Sequence, residues 1–472
     1  MGTPTADGDS RLSFWLRVRE FAVPPSVIAT ATARRLAGDW AGACAAAGVD
    51  VDVSPRALAR THGREFAAPV RSDLRRLAPD LLRWHWPRIA PTGLLRPGLT
   101  VTLARYGGSG RDRDGPVHLV ARTPPAWADG GQRIALALWD SSRPSAGAGL
   151  HPHPRPHRRF RLDLHRHLWD ALRADELRVR SGADLLPGDA GAGPVPPHTT
   201  GPGYRCAVDR WAEEAAILLR ADGRPDGPVE VRLGAGNRLY VGPPPAGGGS
   251  TADMTADITD VRPRRAGTPL PVLPDAATWV LPDLELVRAG LIGAERLHPL
   301  VAAALAPDPG PDLSPDLSPG DGSGGPDPAV RPRIVECRGA RHRIGLVDGV
   351  LVPLDHDPEE IRREELLAAL TGTPLPCLRV IDEVHRRPEC LDDVRARLDH
   401  GDTVGALAVV EGLLGPGALL RAGALRDELA AAAARRVTHG LFRAGLTGAT
   451  SDPAHPVRRT AGRGRPRRGR AR

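Results

Sequence analysis

Leu99-Thr100-Val101-Thr102-Leu103-Ala104-Arg105-Tyr106, followed after a loop by Val117-His118-Leu119-Val120-Ala121-Arg122, decides the fold class. Apolar and β-branched side chains crowd both runs, which suits a pleated, part-buried surface. The loop between them, 107–115, is rich in glycine and charge, so the runs predict a hairpin. A third run at 134–139 extends the sheet. Upstream the period changes. Apolar residues recur three and four apart over 11–20, 24–47, 54–62, 64–77 and 80–86, which predicts helices. Ser54 before Pro55 has the chemistry of a cap followed by proline at the first helical position. Helices and strands are thus segregated rather than alternating, and the expectation is an α+β fold with a mixed, mainly antiparallel sheet.

Downstream, helices are expected at 162–173, 207–221 and 284–305, with Asp283 after Pro282 as a cap. Strands are expected at 229–233 and 238–241 around a turn at 234–237. The stretches 187–204 and 243–255 read as Pro/Gly-rich loops. Residues 307–332 read as a disordered linker, because proline removes donors and glycine raises chain entropy. After it, 333–337, 342–347 and 350–353 predict a small meander, with Asp348-Gly349 as a tight turn. Asp357-Pro358-Glu359-Glu360 opens a helix. Further helices are expected at 378–386, 391–400, 403–414 and 419–444. The implied organisation is a helical region at 1–96, an α+β domain at 97–306, and the linker. A small sheet plus helical domain follows at 333–450, then a disordered basic tail at 451–472.

The chain contains no lysine, so all 64 basic residues are arginine. That excludes Schiff-base lysines and the lysine of a P-loop. The formal charge of +8 is located in the tail. Over 456–472, Arg458, Arg459, Arg463, Arg465, Arg467, Arg468, Arg470 and Arg472 occur without an acidic residue, which leaves the remainder formally neutral. Guanidiniums on a flexible end can contact phosphates by counterion release, so the tail is a candidate nucleic-acid segment without sequence preference. The five cysteines (Cys44, Cys206, Cys337, Cys377 and Cys390) are scattered, with no C-x-x-C pair and no zinc-finger spacing. With a polar N-terminus and no long apolar run, the expectation is a cytoplasmic chain without a membrane partner.

The densest cluster of metal-type side chains is His151, His153, His157 and Asp163, followed by His165 and His167. His and Asp in such density could ligate a transition metal. Against this, the first histidines lie among prolines, and Arg155, Arg158, Arg159, Arg161 and Arg166 repel a cation. Asp382-Glu383-Val384-His385 reads as helix, and His356-Asp357 as the entry to one. Trp84-His85-Trp86 reads as buried packing.

One pattern occurs twice. Arg35-Leu36-Ala37-Gly38-Asp39-Trp40-Ala41-Gly42-Ala43 and Arg397-Leu398-Asp399-His400-Gly401-Asp402-Thr403-Val404-Gly405-Ala406 share Gly-Asp-x-x-Gly-Ala. Glycine ends one helix and aspartate caps the next. The pattern looks like the turn inside tetratricopeptide-type helix pairs, and the whole chain resembles proteins of high-GC actinobacteria. Neither resemblance carries over an active-site residue. The leading functional expectation is a non-catalytic interaction or adaptor protein with a protein partner. The alternatives are a metal-dependent hydrolase or nuclease built on the histidine segment, and a nucleic-acid-associated protein acting through the tail. No cofactor is implied.

Overall fold

The computed structural model describes residues 6–107, 116–128, 130–140, 142, 151–184, 205–224, 226–234, 237–242, 258–259, 269–306, 333–348 and 350–446. The linker, the basic tail and both Pro/Gly-rich loops of the sequence reading lie outside the described residues. The fold is α+β.

The chain opens with α1 (Ala6–Phe21), α2 (Pro25–Leu36) and α3 (Trp40–Ala46). The apolar period of 24–47 runs straight through the α2–α3 boundary, but the backbone does not. Gly38 takes a left-handed φ of 80°, and the Asp39 carboxylate accepts the Gly42 N–H at 2.8 Å. Local capping chemistry therefore splits one expected helix into two. A short strand, β1 (Val49–Val51), leads to α4 (Pro55–Thr61), where the Ser54 hydroxyl accepts from Ala57 N–H. Then follow α5 (Arg64–Arg76) and α6 (Pro79–Trp84).

A two-strand ribbon, β2 (Arg88–Ile89) with β3 (Leu94–Leu95), precedes the main sheet. That sheet comprises β4 (Thr100–Tyr106), β5 (Val117–Arg122) and β6 (Ile134–Asp140), in the order β1-β6-β5-β4. The expected hairpin forms, with a bulge between Thr102 and Ala104. β1 pairs parallel to β6, which makes the sheet mixed. Val101, Leu103, Leu119, Ala121, Ile134 and Leu136 share one face, buried in a core with Leu74, Leu81 and Trp169. Val120, Ala137 and Trp139 cover the opposite face.

Residues 162–173 depart from the expected helix. The segment bridges to the sheet instead: Asp163 N–H donates to Thr102 O, and the Asp170 side chain accepts from Leu172 N–H. Only short 3₁₀ turns at Arg166–Leu168 and Ala171–Glu176 remain. α7 (Leu177–Arg180) and α8 (Val208–Ala221) follow. α8 packs on β7 (Val229–Arg232) and β8 (Arg238–Val241), burying Trp211, Leu218, Val231 and Leu239 in a second core; β9 (Ile258–Thr259) pairs with β8. Beyond α9 (Asp275–Thr278), the expected helix 284–305 is again broken, into α10 (Pro282–Arg288) and α11 (Pro299–Leu305). Gly290 is left-handed at φ 65°, and Pro299 starts the second helix behind the His298 cap. Asp283 does not cap α10. It is fully buried and paired with Arg19.

The C-terminal part holds the antiparallel meander β10 (Arg333–Cys337), β11 (Ala340–Val347) and β12 (Val350–Pro353). It continues with α12 (Pro358–Thr371), α13 (Pro376–Arg386), α14 (Leu391–Asp399), α15 (Thr403–Leu414) and α16 (Ala424–Arg443). Asp357 caps α12 and Asp402 caps α15. The repeated Gly-Asp turn has one geometry in both places: each capping carboxylate also meets an arginine five residues back, Arg34 at 2.9 Å and Arg397 at 3.1 Å. This part docks on the N-terminal body. Arg443 pairs with Asp52, Phe442 meets Trp127 edge-on at 5.4 Å, and His439 bonds the Ala128 carbonyl. The backbones come so close that a Cβ on Gly130 would sit 2.0 Å from the Arg435 carbonyl oxygen.

Candidate functional site

Four stretches distant in sequence enclose a cavity of about 450 Å³. α1 brings Arg11, Trp15 and Arg19. The end of α6 and the chain after it bring Trp84, His85, Trp86 and Arg88. The irregular segment before α7 supplies Arg159, Phe160, Arg161 and His167, and the segment 275–282 closes the wall with Trp279. The volume suits a drug-sized organic molecule, and aromatic walls with few polar groups are the usual make-up of such sites.

Eight arginines line this space, and most are spoken for. Arg19 is held at both ends: it donates twice to Asp283 at 2.7 Å and once to the Trp84 carbonyl at 2.8 Å. Its guanidinium lies 4.4 Å from the Trp84 ring centroid, a cation–π contact. Arg11 pairs with Glu285, Arg159 with Asp275, Arg161 with Asp163 and Arg180 with Glu214. Three remain without a carboxylate among the described residues. Arg88 donates to the carbonyls of Gly93 and Arg83 at 2.9 and 2.8 Å. Arg96 lies over the Phe160 ring, its guanidinium 5.7 Å from the centroid, and Arg205 is exposed at the mouth. The wall therefore carries more guanidiniums than carboxylates, with Asp275 near both Arg159 and Arg96.

Hydrogen-bonding capacity is also left over. Trp15 Nε1, His85 Nε2, Trp86 Nε1, Arg88 Nε and His167 Nδ1 are buried without a partner among the described residues. Buried polar atoms are nearly always paired, so five orphans in one wall need a reason. Burial, Arg19 and His298 push the pKa of His85 well below its usual value. Burial, His165 and Arg180 do the same for His167. Both imidazoles are neutral at pH 7. The lining holds no cysteine, and its one carboxylate, Asp275, is tied to Arg159.

Behind the wall, Glu214 on α8 faces Arg180 and lies 3.1 Å from His165 Nε2. Burial alone would raise its pKa, but contact with His165 and Arg180 outweighs that and holds it at about 2. A depressed carboxylate contributes stability that is complete above its unfolded value and lost as pH falls through its folded value. Here the window runs from 4.5 down to about 2. The shift corresponds to about 3 kcal/mol. Glu214→Gln is expected to be less stable by about that amount at pH 7. The gap to the native chain should narrow steadily on acidification from 4.5, read by urea midpoints. A constant gap would mean that the charge of Glu214 is not what stabilises.

The side chains singled out in the sequence lie apart. His151 Nε2 is 2.8 Å from the Thr123 carbonyl, and its Nδ1 accepts from His153 N–H. His157 Nδ1 accepts from Arg159 N–H, and Asp163 is paired with Arg161. These four do not converge on a common point. His157 lines a second, more open depression with Arg155, Arg158, Arg220 and Arg224, so the neutral body still has a locally basic face. The eight tail arginines lie outside the described residues. Trp84 and Trp86 are buried as expected, yet they also form cavity wall. Comparisons with family models, curated proteins and solved structures find no match to the chain. The chemistry of the cavity therefore has to be read from its own residues. The sequence reading missed Arg19, Arg88, Arg96 and Arg205. Each is one arginine among 64 basic residues, and nothing local distinguishes them.

Proposed function

We propose that the protein binds, without transforming it, a small organic anion with a planar apolar body. The observation that carries this reading is an aromatic-walled cavity in which three of eight guanidiniums form no ion pair with a carboxylate among the described residues. Tryptophan and phenylalanine faces would hold the planar part, and Arg88, Arg96 and Arg205 would face the anion. Calorimetric titration with naphthalene-2-sulfonate and with uncharged 2-naphthol tests it. The sulfonate is expected to bind at least about tenfold more tightly, since charge-assisted hydrogen bonds are roughly twice as strong as neutral ones. Arg96→Ala and Arg205→Ala should each weaken it by about 3- to 10-fold, as for partly exposed charges. Equal affinity for both probes, or no effect of either substitution, would sink the proposal.

A further inference from the structure

Away from the cavity, three ligand-type side chains from three elements meet in the C-terminal part. Cys337 ends β10, His356 sits between β12 and α12, and Cys377 lies in the first turn of α13. Both thiols are buried. One ligand atom from each residue lies within 4.8 Å of the other two, and Cys377 Sγ is 3.5 Å from His356 Nε2. In a tetrahedral zinc site, bonds of about 2.3 Å to sulfur and 2.0–2.1 Å to nitrogen place the two ligand atoms about 3.5 Å apart. The observed spacing is already that of a tetrahedron's edge.

The surroundings point the same way. His356 Nδ1 faces Glu360 Oε2 at 3.6 Å. A carboxylate on that side of the ring, here also paired with Arg338, favours the tautomer that leaves Nε2 unprotonated for a metal. His342 on β11 stacks on His356, with ring centroids 3.9 Å apart, and its Nδ1 is buried without a partner among the described residues. The register sets His342 opposite Val335, so it shares a sheet face with Cys337. The local fold has reason to need a staple. α12 buries none of its residues, and Ile334 and Val350 of the meander are exposed.

We propose that Cys337, Cys377 and His356 bind one zinc ion, with His342 turning in as the fourth ligand. Two soft thiolates and imidazole select zinc over magnesium or calcium. Each thiol gives its proton to solvent as the Zn–S bond forms, so two protons leave per ion bound. The ion ties the meander to α13 and closes the site to substrate, which makes it structural. The site is independent of the anion cavity, so either reading can fail alone.

The test uses the full chain, purified without a histidine tag, stripped with a chelator under reducing conditions and titrated with cobalt(II). One equivalent should bind with near-ultraviolet thiolate-to-cobalt charge transfer, and zinc should displace it one for one. Cys337→Ser and Cys377→Ser should each abolish the band, while Cys390→Ser should leave it unchanged. His342→Ala should weaken zinc binding by about tenfold or more, and this variant keeps the test open should a cysteine variant misfold. No stoichiometric metal, or metal bound without the thiolate band, overturns the proposal. A band that survives the double cysteine variant does so too. Unchanged affinity in His342→Ala overturns the fourth ligand.

Discussion

Asp283→Ala is expected to destabilise the protein by about 3–5 kcal/mol, the cost of leaving one charge of a buried pair alone. The side chains of Arg19 and Asp283 are 3% and 0% exposed, and both carboxylate oxygens are in use. Trp84 Nε1 donates to the same carboxylate at 3.2 Å, so the substitution also orphans an indole. Arg19 would be left facing the Trp84 carbonyl and the rings of Trp84 and Trp15, with no carboxylate. Melting should fall by roughly 5–15 °C. The double variant Arg19→Met/Asp283→Leu should recover most of the loss, because a buried pair replaced as a unit by apolar side chains is close to neutral. Thermal denaturation of the three proteins decides it. A double variant as unstable as Asp283→Ala would show that this wall is held by shape rather than by charge pairing. Because Arg19 lines the cavity and would then lack its carboxylate, the folded single variant should bind the sulfonate at least as tightly as the native chain.

Elements whose causes are local were legible in the sequence. The hairpin of β4 and β5 follows from two apolar runs around a glycine-rich loop. The caps at Ser54, Asp357 and Asp402 follow from short side chains within reach of the next N–H groups. Where two signals competed, periodicity misled. Gly38 and Gly290 each end a helix inside an apolar pattern that continues past them. Hydrophobic period reports which face is buried, not whether the backbone stays helical. β1 escaped notice because three residues carry no period, and its partner β6 lies far along the chain.

The sites were less legible than the fold for a physical reason. Charge pairing and metal ligation depend on proximity in space, and sequence density is a poor guide to it. In the crowded stretch the imidazoles of His151 and His157 turn to backbone groups rather than to a common point. The cysteines that looked scattered are joined by strand register and the packing of α13 on the meander. His356, read in the sequence as the entry to a helix, and His342, which nothing local marks, lie beside them. The unmatched arginines could be recognised only by subtracting every carboxylate that reaches a neighbour.

Arg83→Met is expected to undo the docking of the C-terminal part and to cost about 3–5 kcal/mol, since three buried acceptors lose a charged donor at once. Arg83 donates to the carbonyls of Ala22 at 3.0 Å and His400 at 2.7 Å, and to that of Gln132. These belong to the end of α1, the chain before β6, and the α14–α15 turn. One planar guanidinium thus ties two parts of the body to the C-terminal helices. Burial lowers its pKa to about 10, with Arg133 nearby adding to the effect, so it remains charged at pH 7. Arg83→Lys should rescue poorly, because an ammonium cannot present three donors in that fixed plane. The readout is a chain carrying a protease site between residues 307 and 332. After cleavage the two native fragments should co-elute on gel filtration, and those of Arg83→Met should separate. If the variant loses stability but its fragments stay together, the contacts of Arg443 with Asp52 and Phe442 with Trp127 hold the interface without it. If stability is unchanged, water must satisfy the three carbonyls, and the arginine is not the tie between the two parts.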